Sequence, residues 1–250
     1  MTFVSILYGL LFWIATLILV IGVGRKIYQY SKVPAPLKIP TTPAPITRGG
    51  VVWRMFREVV FFESLFRSSK FTWIFAMLFH MALWLVLIRH TRYFMDMNAV
   101  LLFLQPFGKY ASFAMVIGLV GLSARRIFVD RVRYISAPSD HLMLLLLILI
   151  GASGMMMTFV QKVDVTQVKA FFQGLMYFDW QPLPADPIVL VHLFLVAFLM
   201  IIFPISKLLH APGVFFSPTR NQRDNPREQR HVSDWALELE KPGKTGKDLS

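Results

Sequence analysis

The sequence contains no cysteine among its 250 residues. Structural disulfides, thiolate-ligated iron–sulfur clusters and a C-x-x-C-H attachment of haem c are thereby excluded, although nothing follows about redox compartment. Charge is also scarce. Asp, Glu, Lys and Arg make up 16% of the chain, where a soluble domain carries about 25%. Acidic residues are the scarcer sign, 14 against 26 basic ones, for a net charge of +12. A Gly-rich phosphate loop, a nucleophile–base signature and an internal repeat are all missing. What fills the chain is apolar: 56% hydrophobic residues, with 23 Phe and 6 Trp, and a mean hydropathy of +0.56. This is the composition of a membrane protein.

Five apolar runs are long enough to cross a bilayer, which requires about 20 residues of helix. They cover about 3–23, 71–89, 107–124, 142–160 and 188–209. The third is short in itself, and Phe103–Phe107 extends it upstream. The first is preceded by no positive residue and followed by Arg25-Lys26, the reverse of a secretory signal. It reads as an uncleaved span with its N-terminus outside and, after five crossings, the C-terminus inside. On this arrangement 21 of the 26 Lys and Arg lie on the cytoplasmic side and five, Arg89 included, on the outer side, as the positive-inside rule requires. The expected fold class is an all-α membrane protein. Its basic inner face accounts for most of the net charge without nucleic acid. That face either is only a topology signal or also meets anionic lipid or an acidic partner subunit.

The expected organisation is a five-helix membrane domain over 1–210 and a polar cytoplasmic tail over 211–250. The cytoplasmic loop over 25–50 carries KVPAPLKIPTTPAP, with five prolines in Lys32–Pro45, a density that favours an extended polyproline-like path. Residues 51–66, VVWRMFREVVFFESLF, place Arg54, Arg57 and Glu58 on one helical face and Trp53, Phe56, Val60 and Phe61 around the rest. That pattern suits a helix lying at the membrane interface. From Ser217 the chain is polar, without an apolar period, and is expected to be either disordered or ordered by a partner. SDWALELEKPG within it is compatible with one short helix. Small-residue pairs, Gly118/Gly121 and Gly151/Gly154, permit close approach of a helix or a cofactor.

The histidines carry the chemistry. His80 lies in mid-span in FTWIFAMLFHMALWLVLIRH and His90 at its outer end; His192 lies near the outer end of the last span and His210 just after it. An ionisable residue inside a membrane helix is expensive and marks a functional site. Ten residues separate His80 from His90, about 15 Å of helix rise. Eighteen separate His192 from His210, about 27 Å if helical throughout, with Pro204 expected to kink the helix between them. The two spans run in opposite directions, so depth pairs His80 with His210 on the inner side and His90 with His192 on the outer side. Each pair can ligate the iron of one non-covalent haem b through a ring nitrogen of each imidazole. Arg89 reads either as a partner of a haem propionate or as a helix-end cation reaching the interface. His141 and His231 read as interfacial or surface residues. Other readings stay open: one structural haem only, or a non-redox scaffold or transporter subunit whose histidines are polar packing groups.

Five spans with histidines ten apart on the second and eighteen apart on the fifth resemble the cytochrome b (gamma) subunit of respiratory nitrate reductase. The stretches KVPAPLKIPTTPAP and HAPGVFFSPTRNQRDNPRE are similar, more narrowly, to the DsrM family, membrane cytochromes of the DsrMKJOP complex of dissimilatory sulfur metabolism. The resemblance extends over nearly the whole chain. It implies that His80 and His210 hold an inner haem b and His90 and His192 an outer one, with menaquinone or ubiquinone reacting near the outer. It also implies electron exchange with a DsrK-like iron–sulfur subunit similar to heterodisulfide reductase, alongside the other DsrMKJOP subunits, in a bacterial inner membrane. The chain would then be the electron-transfer subunit of a quinone-reactive oxidoreductase. In the wider family a lysine near the outer haem contributes to the quinol site. Lys109, nineteen residues after His90, falls in about that place, and it also reads as an ordinary interfacial lysine.

Overall fold

The computed structural model describes residues 2–33, 43–225, 232, 237 and 238. Its helices are α1 (Phe3–Lys32), α2 (Arg48–Phe61), α3 (Glu63–Ser68), α4 (Lys70–His90), α5 (Ala99–Phe128), α6 (Asp130–Tyr134), α7 (Pro138–Met155), α8 (Val165–Tyr177) and α9 (Pro187–Ile202), followed by two four-residue helical turns, His210–Gly213 and Pro218–Asn221. Among the described residues there is no strand. Five stretches are long and apolar enough to cross a membrane: Phe3–Lys32, Lys70–Tyr93, Ala99–Phe128, Pro138–Val160 and Pro187–Ile205. Large apolar side chains stand exposed along them, Leu17, Trp84, Leu145, Val191 and Phe194 each at half or more of full exposure. Such faces are stable only against lipid or protein. The chain is an all-α, multi-pass integral membrane protein.

The chain divides into two compact units, Met1–Ile27 with Phe61–His210, and Tyr28–Val60 with Ala211–Ser250. In the first, α4 and α5 approach closely because small residues line their seam. A Cβ on Gly118 would lie 2.9 Å from Phe79 Cβ, and one on Gly108 would lie 2.6 Å from the Leu85 carbonyl oxygen. Phe79, Ala82, Ala111, Met115, Leu119 and Leu147 close this core between α4, α5 and α7. A second core joins α1, α8 and α9 through Phe12, Ala15, Phe171, Leu175, Val189 and Ala197.

Several boundaries differ from those read in the sequence. The third span begins at Ala99 rather than 107. Asn98 caps it, its side chain accepting from the Leu101 N–H at 2.9 Å, and Pro106 is carried inside the helix. The stretch 51–66 is not one helix. It breaks at Phe62, whose φ of 51° is left-handed, a conformation that costs an aromatic residue strain. The α-helix of the last span does not run on through Pro204 but ends at Ile202. Proline has no N–H for the Met200 carbonyl, and two 3₁₀ turns, Phe203–Ile205 and Lys207–Leu209, replace the helix. The estimate of 27 Å of straight helix from His192 to His210 therefore does not apply. An unforeseen helix, α8, is capped by Asp164 and buries Val168, Phe171, Gly174 and Leu175. Lys169 on its exposed side pairs with Asp96 at 2.8 Å, and this bond holds the Asp96 carboxyl below the usual carboxylate range.

In the second unit, Glu58 of α2 pairs with Arg220 at 2.7 Å and the Asp224 N–H donates to the Pro45 carbonyl at 3.0 Å. The segment Ser217 to Asn225 thus makes contacts within the chain itself. Val52, Trp53 and Phe56 stand exposed on α2, with the Trp53 and Phe56 rings stacked 5.2 Å apart. Most of the proline loop, residues 34–42, and the SDWALELEKPG helix lie outside the described residues.

Candidate cofactor site

The structure brings His80 to His210 and His90 to His192. The ring centroids are 6.1 Å apart in the first pair and 6.4 Å in the second. Two imidazoles bound to one metal through bonds of about 2.0 Å, each ring centre a further ~1.1 Å behind its nitrogen, have centroids about 6.2 Å apart. Both pairs match that span. Among the described residues no group of three or more His, Cys, Asp or Glu is gathered for a metal, so neither pair belongs to a closed zinc-type cage.

The hydrogen bonds of the four rings point the same way. His80 Nδ1 donates to the Ala76 carbonyl at 2.7 Å, His90 Nδ1 to the Val86 carbonyl at 2.6 Å and His210 Nδ1 to the Lys207 carbonyl at 2.9 Å. His192 Nδ1 meets Ser153 Oγ at 2.9 Å. That hydroxyl sends its own proton to the Leu149 and Ile150 carbonyls, so it accepts from the ring. A carbonyl can only accept, so Nδ1 carries the proton and a neutral ring presents its lone pair at Nε2. Metal-ligating histidines are held in this way.

Packing fixes the rings further. His80 lies edge-on between Phe62, with centroids 4.9 Å apart, and Phe79, at 4.7 Å. The strained Phe62 turn delivers one of these contacts. His192 is buried at 7% exposure, and a Cβ on Gly154 would lie 3.4 Å from its Cε1. The pair Gly118/Gly121 thus serves helix contact, whereas Gly154 leaves room beside a histidine. The ring planes differ between the sites, at 85° for His80 with His210 and 18° for His90 with His192.

The remaining candidates fall as follows. Arg89 donates from Nη1 to the Gln105 carbonyl at 2.9 Å, across the α4–α5 seam. Arg92, which the sequence reading did not single out, lies over Tyr93 at 4.9 Å and donates to its hydroxyl at 2.9 Å. Tyr93 in turn lies 5.8 Å from the His90 ring. The Arg92 Nε is buried without a hydrogen-bond partner among the described residues. The signal available in the sequence was an arginine two residues after His90. Lys109 lies over the rings of Tyr110 and Phe159, at 5.6 and 5.2 Å. His141 sits half-buried in the first turn of α7, and His231 lies outside the described residues.

Comparison with known proteins agrees with this architecture. Residues 46–226 match the nitrate reductase gamma subunit family. The chain is 36% identical over 281 aligned residues to an Hdr-like menaquinol oxidoreductase cytochrome b-like subunit of Archaeoglobus fulgidus, covering 93% of this chain and 84% of that one. A protein of the same description from Archaeoglobus profundus is 31% identical, over 92% of this chain and 82% of that one. The chain belongs to the nitrate reductase gamma subunit family.

Proposed function

We propose that this chain is a dihaem b membrane cytochrome, the electron-transfer subunit of a quinol-reactive complex. The observation that carries the reading is the pair of histidine sites, each with the ring separation of one metal and every Nδ1 already hydrogen-bonded. His80 and His210 would hold the inner iron and His90 and His192 the outer one. When bound, the haems supply one-electron redox chemistry within the membrane. The protein's part is to present Nε2, fix each ring and shield the site from water.

The relatives' description as menaquinol oxidoreductase subunits favours menaquinol over ubiquinol as the quinone. Lys109 is the candidate contact for its head. For a haem propionate at the outer site, Arg92 is better placed than Arg89. Its buried Nε has no hydrogen-bond partner among the described residues, while Arg89 already directs Nη1 at the Gln105 carbonyl. We place the N-terminus outside a bacterial inner membrane and the basic loops in the cytoplasm. Without cysteine, the chain relies on another subunit for any iron–sulfur centre. A DsrK-like subunit of a DsrMKJOP-type complex in sulfur metabolism is the partner that the proline-loop and HAPGVFFSPTR motifs support.

Redox titration of His80→Ala and His90→Ala tests the assignment. Each should lose a different component, because each removes a ligand of a different iron. The oxidised protein should also show two distinct low-spin spectra. Perpendicular imidazole planes leave two iron d orbitals nearly degenerate and give a highly anisotropic signal; near-parallel planes split them and give a rhombic one. Loss of the same component in both variants would contradict the pairing.

A further inference from the structure

His210 differs from the other three histidines in its support. His80, His90 and His192 stand on α4 and α9, whereas His210 follows two 3₁₀ turns beyond the break at Pro204 and is exposed. Its Nδ1 partner is the carbonyl of Lys207, in its own short turn. Nothing in that turn alone fixes a ring in space.

Lys207 is fixed from elsewhere. Its ammonium lies 2.7 Å from Oδ1 and 2.8 Å from Oδ2 of Asp140, a residue 67 positions away at the start of α7. The Asp140 side chain is 5% exposed and is itself held twice more. It accepts from the Ala137 N–H at 3.1 Å, and Arg126 Nη1 at the end of α5 lies 3.4 Å away. Arg126 is steadied by Ser136 Oγ at 2.9 Å, which donates to the Val132 carbonyl at 2.7 Å. A buried carboxylate is retained only when paired and hydrogen-bonded, and here its two ion pairs tie the start of α7 to the end of α5 and to the turn that precedes His210.

We propose that Asp140 is a positioning residue for the inner haem. Through Lys207 it holds the carbonyl that orients the His210 ring, and so sets the angle of that ring to His80. The proposal rests on His210 being an axial ligand. Asp140 is no ligand itself; it makes a ligand on a short turn as well placed as those on helices, in the way that outer-shell groups tune metal sites.

The test compares Asp140→Asn, Lys207→Met, Lys207→Arg and His210→Ala in the haem-loaded full chain, read by the low-spin spectrum of each oxidised haem and by haem content. Asp140→Asn and Lys207→Met should both shift or broaden the inner, highly anisotropic signal and leave the outer one unmoved, with two haems retained. Lys207→Arg should restore it. Charge alone would move the inner potential in opposite directions in Asp140→Asn and Lys207→Met, whereas lost positioning alters the spectrum in both. If Asp140→Asn does not fold, Lys207→Met carries the test, since that side chain is 70% exposed. An inner signal unchanged in Lys207→Met but lost in His210→Ala overturns the positioning role alone. Both signals surviving His210→Ala overturns the ligand assignment beneath it.

Discussion

Ser153 accepts the Nδ1 proton of His192, and its hydroxyl is the one side chain among the four Nδ1 acceptors. The other three are backbone carbonyls, which no substitution removes. Ser153→Ala should therefore weaken the outer haem while sparing the inner, by the ~10–100-fold in affinity typical of outer-shell losses; haem retention through purification measures it. Arg92→Gln should lower the midpoint potential of the outer component more than Arg89→Gln does, because a cation near the iron favours its reduced, less positive state. Equal shifts would return Arg89 to the propionate role. The sequence made the four histidines legible, since an imidazole in an apolar run stands out and helix rise assigns its depth. It could not show Ser153, a common residue in a membrane helix, nor Asp140 and Lys207, whose meeting depends on where the chain turns after Pro204.

Hydropathy showed that the spanning elements exist but not where they end. Their ends depend on caps and breaks: Asn98 starts α5 upstream of the apolar run, and Pro204 stops α9 short of His210. α8 was missed because its amphipathic pattern lies in a loop with no apolar run of spanning length. Close packing of α4 on α5 requires glycine at 118, and Gly118→Val should cost about 1–3 kcal/mol through overpacking. A lowered thermal midpoint for loss of the haem spectrum would show it. The intrachain contacts of Ser217–Asn225 divide the tail. Truncation after Asn225 should preserve the Arg220–Glu58 pair and both haems and weaken co-purification of the iron–sulfur partner; an undiminished complex would move docking to the loops.

For the whole molecule, orientation and cofactor content decide the account. The natural lack of cysteine permits single-cysteine labelling. Ser217→Cys should react with an impermeant maleimide only from the cytoplasmic side and Asp96→Cys only from outside, and the reverse would overturn the topology and exchange the two haem positions. Composition pointed to the membrane class, because 56% hydrophobic and 16% charged residues depart in the apolar direction from a soluble domain's average. The most direct test is the haem count. Acid–acetone extraction of the saturated protein followed by a pyridine haemochrome assay should yield two extractable haems b per chain. A protein that yields none, or one whose haem stays covalently attached, would contradict the account.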